Sequence, residues 1–239
     1  MDPVTAFAER VSGLGWVTDL WVAGSLATGD HIPGVSDLDL VAVTDGPVTG
    51  DRLTRLVGIH AELDQGAAAG ADLGCAYADE GRLAEPAAEH PTWTHGRLVR
   101  RTVSGVVRAE LVRHGYAALG RPPAEVLAPV TDDDVRRAAC EELTGYWAWA
   151  ARRPHYWLDP VIADLGLTSM ARGRHAMATG RLLTKSAAID QVAAPEWLVD
   201  HLRRRRGGED VSSPRVRTGW IAWRDARRTT RAARATRLS

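Results

Sequence analysis

The chain has 239 residues, with 30 basic against 30 acidic side chains, and is long enough to bury a real core in one large or two small domains. Two cysteines, Cys75 and Cys140, are too few for a disulfide framework and fit a reducing cytoplasm. No basic start followed by an apolar run, and no stretch of ~20 apolar residues, is legible, so neither a secretory leader nor a membrane span is expected.

The first 90 residues alternate short apolar runs with helical periodicity. A helix is expected over 4–11, strands over 19–23 and 37–43, a helix over 49–64 and a strand over 71–77. The Pro-, Glu- and His-containing stretch 80–91 reads as a loop. Beyond it the pattern is helical over 94–116, 123–127, 131–152, 159–179, 184–192 and 195–205. Thr131 with Asp134 reads as a capping-box variant and Gly180 as a helix stop. Gly207-Gly208 interrupts the chain before a last Arg-rich helix, expected to fray beyond Thr230. The layout is α+β, divided as 1–122, 123–206 and a tail at 207–239.

The most informative segment is WVAGSLATGDHIPGVSDLDLVAV, residues 21–43. An apolar run ends in Gly24-Ser25, and a second opens on Asp37-Leu38-Asp39. Residues i and i+2 of a strand share a face, so Asp37 and Asp39 converge while Leu38 points inward. Two such carboxylates call for a divalent cation between them. Gly24 lets the backbone approach a ligand, and Ser25 offers a hydroxyl and an N–H to a phosphate. Asp-x-Asp alone is usually a solvated strand end and Gly-Ser alone a common turn; their conjunction, each beside an apolar run, is what carries the reading. No Gly-x4-Gly-Lys-Ser/Thr loop is present.

These residues resemble the nucleotidyltransferase superfamily that includes DNA polymerase β. The resemblance implies a third carboxylate on a neighbouring strand. Gly70-Ala71-Asp72-Leu73-Gly74-Cys75-Ala76-Tyr77 supplies Asp72, whereas Asp64, Asp79 and Glu80 fall at a helix end or in a loop. Cys75, inside that apolar run, reads as a small buried residue rather than a nucleophile. From about Trp16 to Arg205 the chain is similar to the aminoglycoside adenylyltransferases that modify streptomycin and spectinomycin. Residues 108–122, then Arg172 to Gly180-Arg181 and Thr184-Lys185, carry that likeness.

The family likeness implies an amino-terminal nucleotidyltransferase domain, with a mixed sheet and flanking helices, followed by an all-helical bundle. It implies ATP as co-substrate, two Mg²⁺ ions held by Asp37, Asp39 and Asp72, and phosphate contacts from Gly24, Ser25, Arg172 and Lys185. Asp72 would stand at the general base, which is a Glu in the best-known members. The active site would lie between the domains. Residues 1–90 hold 4 Arg against 15 Asp and Glu, and residues 91–239 hold 26 Lys and Arg against 15, which suits a metal on one wall and a triphosphate on the other. Twelve of those 26 lie in 203–206 and 215–237, so the excess is no sign of specific nucleic-acid recognition.

Lys185 is the single lysine beside 29 arginines, which points to a need for a compact ammonium. Arg172 is flanked by Arg174 and Arg181, and only the family likeness selects it. Trp147, Trp149, Tyr156 and Trp157 cluster with Glu141, Glu142, Asp159 and Asp164, a composition suited to a small cationic, hydroxylated acceptor, although tryptophans at helical spacing are usually core. The family likeness singles out Trp157 and Asp159 for acceptor contacts. The expected protein is a monomeric, cytoplasmic, Mg²⁺-dependent enzyme that moves AMP to an antibiotic hydroxyl and releases pyrophosphate. The alternatives are a lincosamide or protein hydroxyl as acceptor, or a nucleotide-sensing module without catalysis.

Overall fold

The computed structural model describes residues 2–238. The chain forms two compact units, one ending at Val130 and the other beginning at Thr131.

The first unit contains α1 (Pro3–Ser12), β1 (Val17–Val22), α2 (Gly24–Ala27), β2 (Leu38–Thr44), α3 (Gly50–Gln65), β3 (Leu73–Asp79), β4 (Glu89–Thr94), β5 (Arg97–Thr102), α4 (Gly105–His114), β6 (Tyr116–Leu119) and α5 (Pro123–Val126). Its six strands form one sheet in the order β5-β4-β3-β2-β1-β6. Only β2 and β3 run parallel, with Asp39 beside Gly74. The connection between them is α3, the crossover that parallel neighbours require. Alternation sorts the side chains. Leu38, Leu40, Ala42, Leu73, Cys75 and Tyr77 pack on one side with Phe7 and Val11 of α1 and Leu56 and Leu63 of α3. Trp21, Val41, Val43 and Ala78 pack on the other with Leu111 of α4 and Leu127. Asp39 belongs to that second side, at the end where apolar cover stops.

The second unit contains α6 (Asp132–Glu142), a π-helical turn over Leu143–Trp147, α7 (Ala148–Ala150), a 3-10 turn over Pro154–Leu158, α8 (Pro160–Thr179), α9 (Lys185–Ile189), α10 (Glu196–Arg206) and α11 (Arg215–Leu238). Thr131 and Asp134 complete a capping box at α6. Gly180, in the left-handed region at φ 73°, closes α8. Trp157, Leu167, Met170, Leu198, Ala222, Ala226 and Ala233 lie in one core. No described helix is long and apolar enough to cross a membrane.

Three expectations are corrected. Residues 94–116 are not one helix. Thr94 pairs with Arg97 across His95 and Gly96, whose φ angles of 48° and 69° make the two-residue turn of a hairpin. The Arg-rich run of β5 is an edge strand, where charge discourages further pairing. The 80–91 stretch is not wholly a loop, since β4 begins at Glu89. The division falls at 130/131, at the far end of the 90–130 range in which the boundary is expected, because Val126 and Leu127 pack into the first unit. Finally, α11 neither stands apart nor frays at Thr230: it runs to Leu238, with Ala233 fully buried.

Candidate active site

The site begins where β1 leaves the sheet. The Ala23 N–H donates to the Asp39 carbonyl at 2.8 Å, extending the β1–β2 ladder by one bond. The chain then turns through Gly24, at φ 63°, into the single turn of α2. A Cβ on Gly24 would stand 2.2 Å from Asp39 Oδ2 and 2.9 Å from Asp39 Cβ, so no other residue fits without displacing that carboxylate. Gly24 and Asp39 are therefore in direct contact. Ser25 is 6% exposed, and its hydroxyl is buried with no hydrogen-bond partner, a donor and acceptor left over by the fold.

Asp37 immediately precedes β2 and Asp39 is its second residue, exposed between the buried Leu38 and Leu40. The turn before them is closed by the Ser36 hydroxyl, which accepts from the Ile32 N–H at 3.0 Å. Two hard carboxylates from one strand, beside a glycine cradle and an orphaned hydroxyl, fit Mg²⁺. This ion is commonly held by one or two carboxylates, with substrate phosphates and water completing its octahedron.

Asp72 is engaged differently. It lies one residue before β3, not within it, in the left-handed region at φ 44°, and its carboxylate pairs with Nδ1 of His95 in the β4–β5 turn. Among the described residues no group of three or more His, Cys, Asp or Glu is placed to hold a metal ion. The expectation that three carboxylates converge is corrected accordingly. The backbone twist at Asp72 takes its side chain out of the strand alternation, and His95 offers a partner that the two other carboxylates cannot. The β3 position beside Asp39 is Gly74, which has no side chain.

The motif did not reveal Glu110. This α4 residue is 9% exposed, and its Oε1 accepts the Gly24 N–H at 2.6 Å, across 86 residues of sequence. The available signal was an acid on the apolar stripe of a helix, three residues after Val107 and just before the fully buried Leu111.

Cys75 is 1% exposed, and burial pushes its thiol up to about 12, as befits a packing residue.

In the second unit, Arg172 of α8 donates from Nε to the Leu183 carbonyl at 2.9 Å. This ties it to the loop that leads into Lys185, the first residue of α9, whose N-cap Thr184 accepts from the Ala187 N–H at 3.1 Å. Arg172 and Lys185 are thus neighbours in the fold, whereas Arg174 is committed elsewhere, to Asp225 and Thr229.

The expected acceptor wall is largely corrected. Trp157 is fully buried, donates to the Ala150 carbonyl at 3.0 Å and packs so closely on Gly166 that a Cβ there would come within 2.2 Å of its ring. It is core and has no surface to offer. Trp147 is also buried, and Asp164 is held by Arg205 at 2.6 and 3.0 Å. Asp159 is exposed and caps α8, accepting from Val161 N–H at 2.8 Å. Trp149 is the exposed aromatic of the group, at 38%, and the Arg153 guanidinium already lies 4.0 Å from its ring centre.

Comparison with known proteins agrees with this geometry. Residues 4–84 match the model of the nucleotidyltransferase domain family, a span that contains Gly24, Ser25, Asp37, Asp39 and Asp72. Comparison with curated sequences gave no match. Among solved structures, the chain is similar to the spectinomycin adenyltransferase AAD(9) from Enterococcus faecialis, crystallised with ATP and spectinomycin. The identity is 15% and the TM-score 0.69, over 93% of this chain and 98% of that one. The likeness therefore extends through both units of the fold. Residues 4–84 of this chain match the nucleotidyltransferase domain family, and the chain has the fold of that spectinomycin adenyltransferase.

Proposed function

We propose that this protein transfers AMP from ATP to a hydroxyl of an aminoglycoside-type antibiotic resembling streptomycin or spectinomycin, in a reaction that requires Mg²⁺. The observation that carries the reading is the contact of Gly24 with the Asp39 carboxylate, beside the unpartnered Ser25 hydroxyl. An exposed carboxylate against a tight glycine turn supports a metal-bound phosphate at this edge. The solved adenyltransferase of the same fold, crystallised with ATP and spectinomycin, supports the choice of nucleotide and acceptor class.

In this mechanism Gly24 and Ser25 seat the triphosphate by main-chain and hydroxyl contacts, and Arg172 and Lys185 add cationic contacts to its oxygens. Asp37 and Asp39 hold Mg²⁺, which when bound neutralises charge on the phosphates and aligns the α-phosphorus. The acceptor hydroxyl forms a new P–O bond at that phosphorus, the α–β bridging bond breaks, and pyrophosphate leaves with the bonding electrons. Asp72 takes the hydroxyl proton, with His95 as its hydrogen-bonded partner. Asp159 supplies an exposed carboxylate for a cationic acceptor.

The test is transfer of labelled AMP with Mg²⁺ and a panel of aminoglycosides, a lincosamide and a no-acceptor control. The wild type is expected to label streptomycin or spectinomycin. Asp39→Asn is expected to lose at least about 1000-fold in turnover at an unchanged melting temperature, as befits removal of a group acting on the transition state. Near-normal turnover in Asp39→Asn would rule out the metal assignment.

A further inference from the structure

A carboxylate nine-tenths buried against a backbone amide is an expensive choice for the apolar stripe of a helix, where a leucine would pack without a desolvation cost. Glu110 makes that choice at one point. Its Oε1 accepts the Gly24 N–H at 2.6 Å, a short charge-assisted bond. The same glycine is held from another side, since its Cα faces Asp39 so closely that even a methyl group would meet Oδ2 at 2.2 Å. Its φ of 63° lies in the left-handed region, one of several that a free glycine visits, so contacts on both sides are what hold it there. Gly24 is thus fixed between the carboxylates of Asp39 and Glu110, and the next residue is Ser25, whose buried hydroxyl has no partner.

We propose that Glu110 is a positioning residue for the nucleotide site. Resting on the nucleotidyltransferase reading above, the inference is that Glu110 acts through Gly24. It fixes the left-handed turn before the nucleotide arrives, so that the amide and hydroxyl of Ser25 are already directed when the phosphates bind. What this role needs is an acceptor oxygen at the reach of a Glu side chain, not a negative charge. That separates Glu110 from Asp37 and Asp39, where charge is the essential property.

The experiment crosses reach against charge. Glu110→Gln keeps an acceptor oxygen at the same distance and loses the charge; Glu110→Asp keeps the charge and is one methylene short. Binding of ATP with Mg²⁺ is measured by calorimetry on the full chain, with exchange of the Gly24 amide followed in parallel by hydrogen–deuterium exchange. Glu110→Gln is expected to hold the ATP dissociation constant within about threefold of wild type and keep the Gly24 amide protected. Glu110→Asp is expected to weaken ATP binding about tenfold, or 1.4 kcal/mol by the usual conversion, with the amide exchanging freely and the KM for ATP rising more than kcat falls. Equal binding by both variants overturns the proposal, and so does a larger loss in Glu110→Gln than in Glu110→Asp. A wild-type protein that does not bind ATP with Mg²⁺ overturns the nucleotide reading instead. In that case, Gly24 protection unchanged in Glu110→Asp overturns the fixing of the turn as well.

Discussion

Arg174 of α8 grips Asp225 of α11 through a single guanidinium nitrogen, which donates to both carboxylate oxygens at 2.9 and 3.0 Å and to the Thr229 hydroxyl at 2.7 Å. Asp225 is 4% exposed, so this pair sits in the helical core and joins the Arg-rich last helix to the longest helix before it. Arg174→Met leaves the buried carboxylate with Arg228 alone for a cationic partner among the ion pairs described. The expected cost is about 3 kcal/mol in chemical denaturation, with turnover per folded molecule unchanged. An equal loss of ATP affinity in Arg174→Met and Arg172→Met would contradict the division of roles between these two arginines.

Gly24→Ala meets two obstacles at once, a left-handed backbone and the Asp39 carboxylate 2.2 Å from the new methyl group. Gly29 is the internal control, because its φ of 71° is similar but nothing lies within 4 Å of an added Cβ. Both alanine variants are expected to lose about 1–2 kcal/mol from backbone strain. Only Gly24→Ala is expected to weaken ATP binding, by at least about tenfold. Calorimetric titration of the two variants side by side decides it.

His60 gives the first unit a sensitivity to acid. It is 1% exposed, stacks on Trp93 with ring centres 5.0 Å apart, and shares a 2.7 Å hydrogen bond with the Tyr77 hydroxyl, while Nδ1 has no partner. Burial lowers its pKa to about 3. Below the ordinary value of ~6.5 the unfolded chain binds a proton that the folded chain refuses, so stability is full above that pH and falls as the pH is lowered towards 3. The loss across the window is on the order of 5 kcal/mol. Denaturation measured between pH 7 and 4 is expected to show this slope in the wild type and a shallower one in His60→Gln.

Trp157 and Asp159, two residues apart, separate core from surface. Trp157→Ala is expected to cost about 3–5 kcal/mol, the usual range for a large aromatic in a packed core. Asp159→Asn keeps the cap of α8, since Asn caps nearly as well, and should change stability by less than about 1 kcal/mol. Its KM for a cationic acceptor is expected to rise several-fold. Steady-state kinetics with the acceptor varied provides the check.

The parts of the molecule legible in the sequence are those whose partners lie nearby along the chain. Gly24, Ser25, Asp37 and Asp39 fall within 16 residues and are joined by one antiparallel ladder, so spacing and strand alternation sufficed. The helix capped by Thr131 and the one stopped by Gly180 announced themselves through local chemistry. The β4–β5 hairpin did not. Its turn is His-Gly rather than Asn-Gly, and Leu98, Val99 and the arginines around them fit helical spacing as well as strand alternation. Asp72 was placed by analogy with a strand position, but the left-handed backbone before β3 turns it to His95, which only the hairpin brings near. Glu110 was hidden for the same reason, since its partner lies 86 residues away and only the packing of α4 on the sheet reveals it. Trp157 shows the reverse error, in which an aromatic suited to a ligand by chemistry is consumed by the core.

The β3 residue alongside Asp39 is Gly74, so no side chain rises from the sheet at that point. A Cβ at Gly74 would have its nearest neighbours at 3.5 and 3.7 Å, both main-chain oxygens, which is ordinary clearance. That position is consequently unclaimed ground. It imposes no shape of its own on whatever settles beside Asp39, and it leaves an accessible place where a single engineered carboxylate could be grafted next to the native pair.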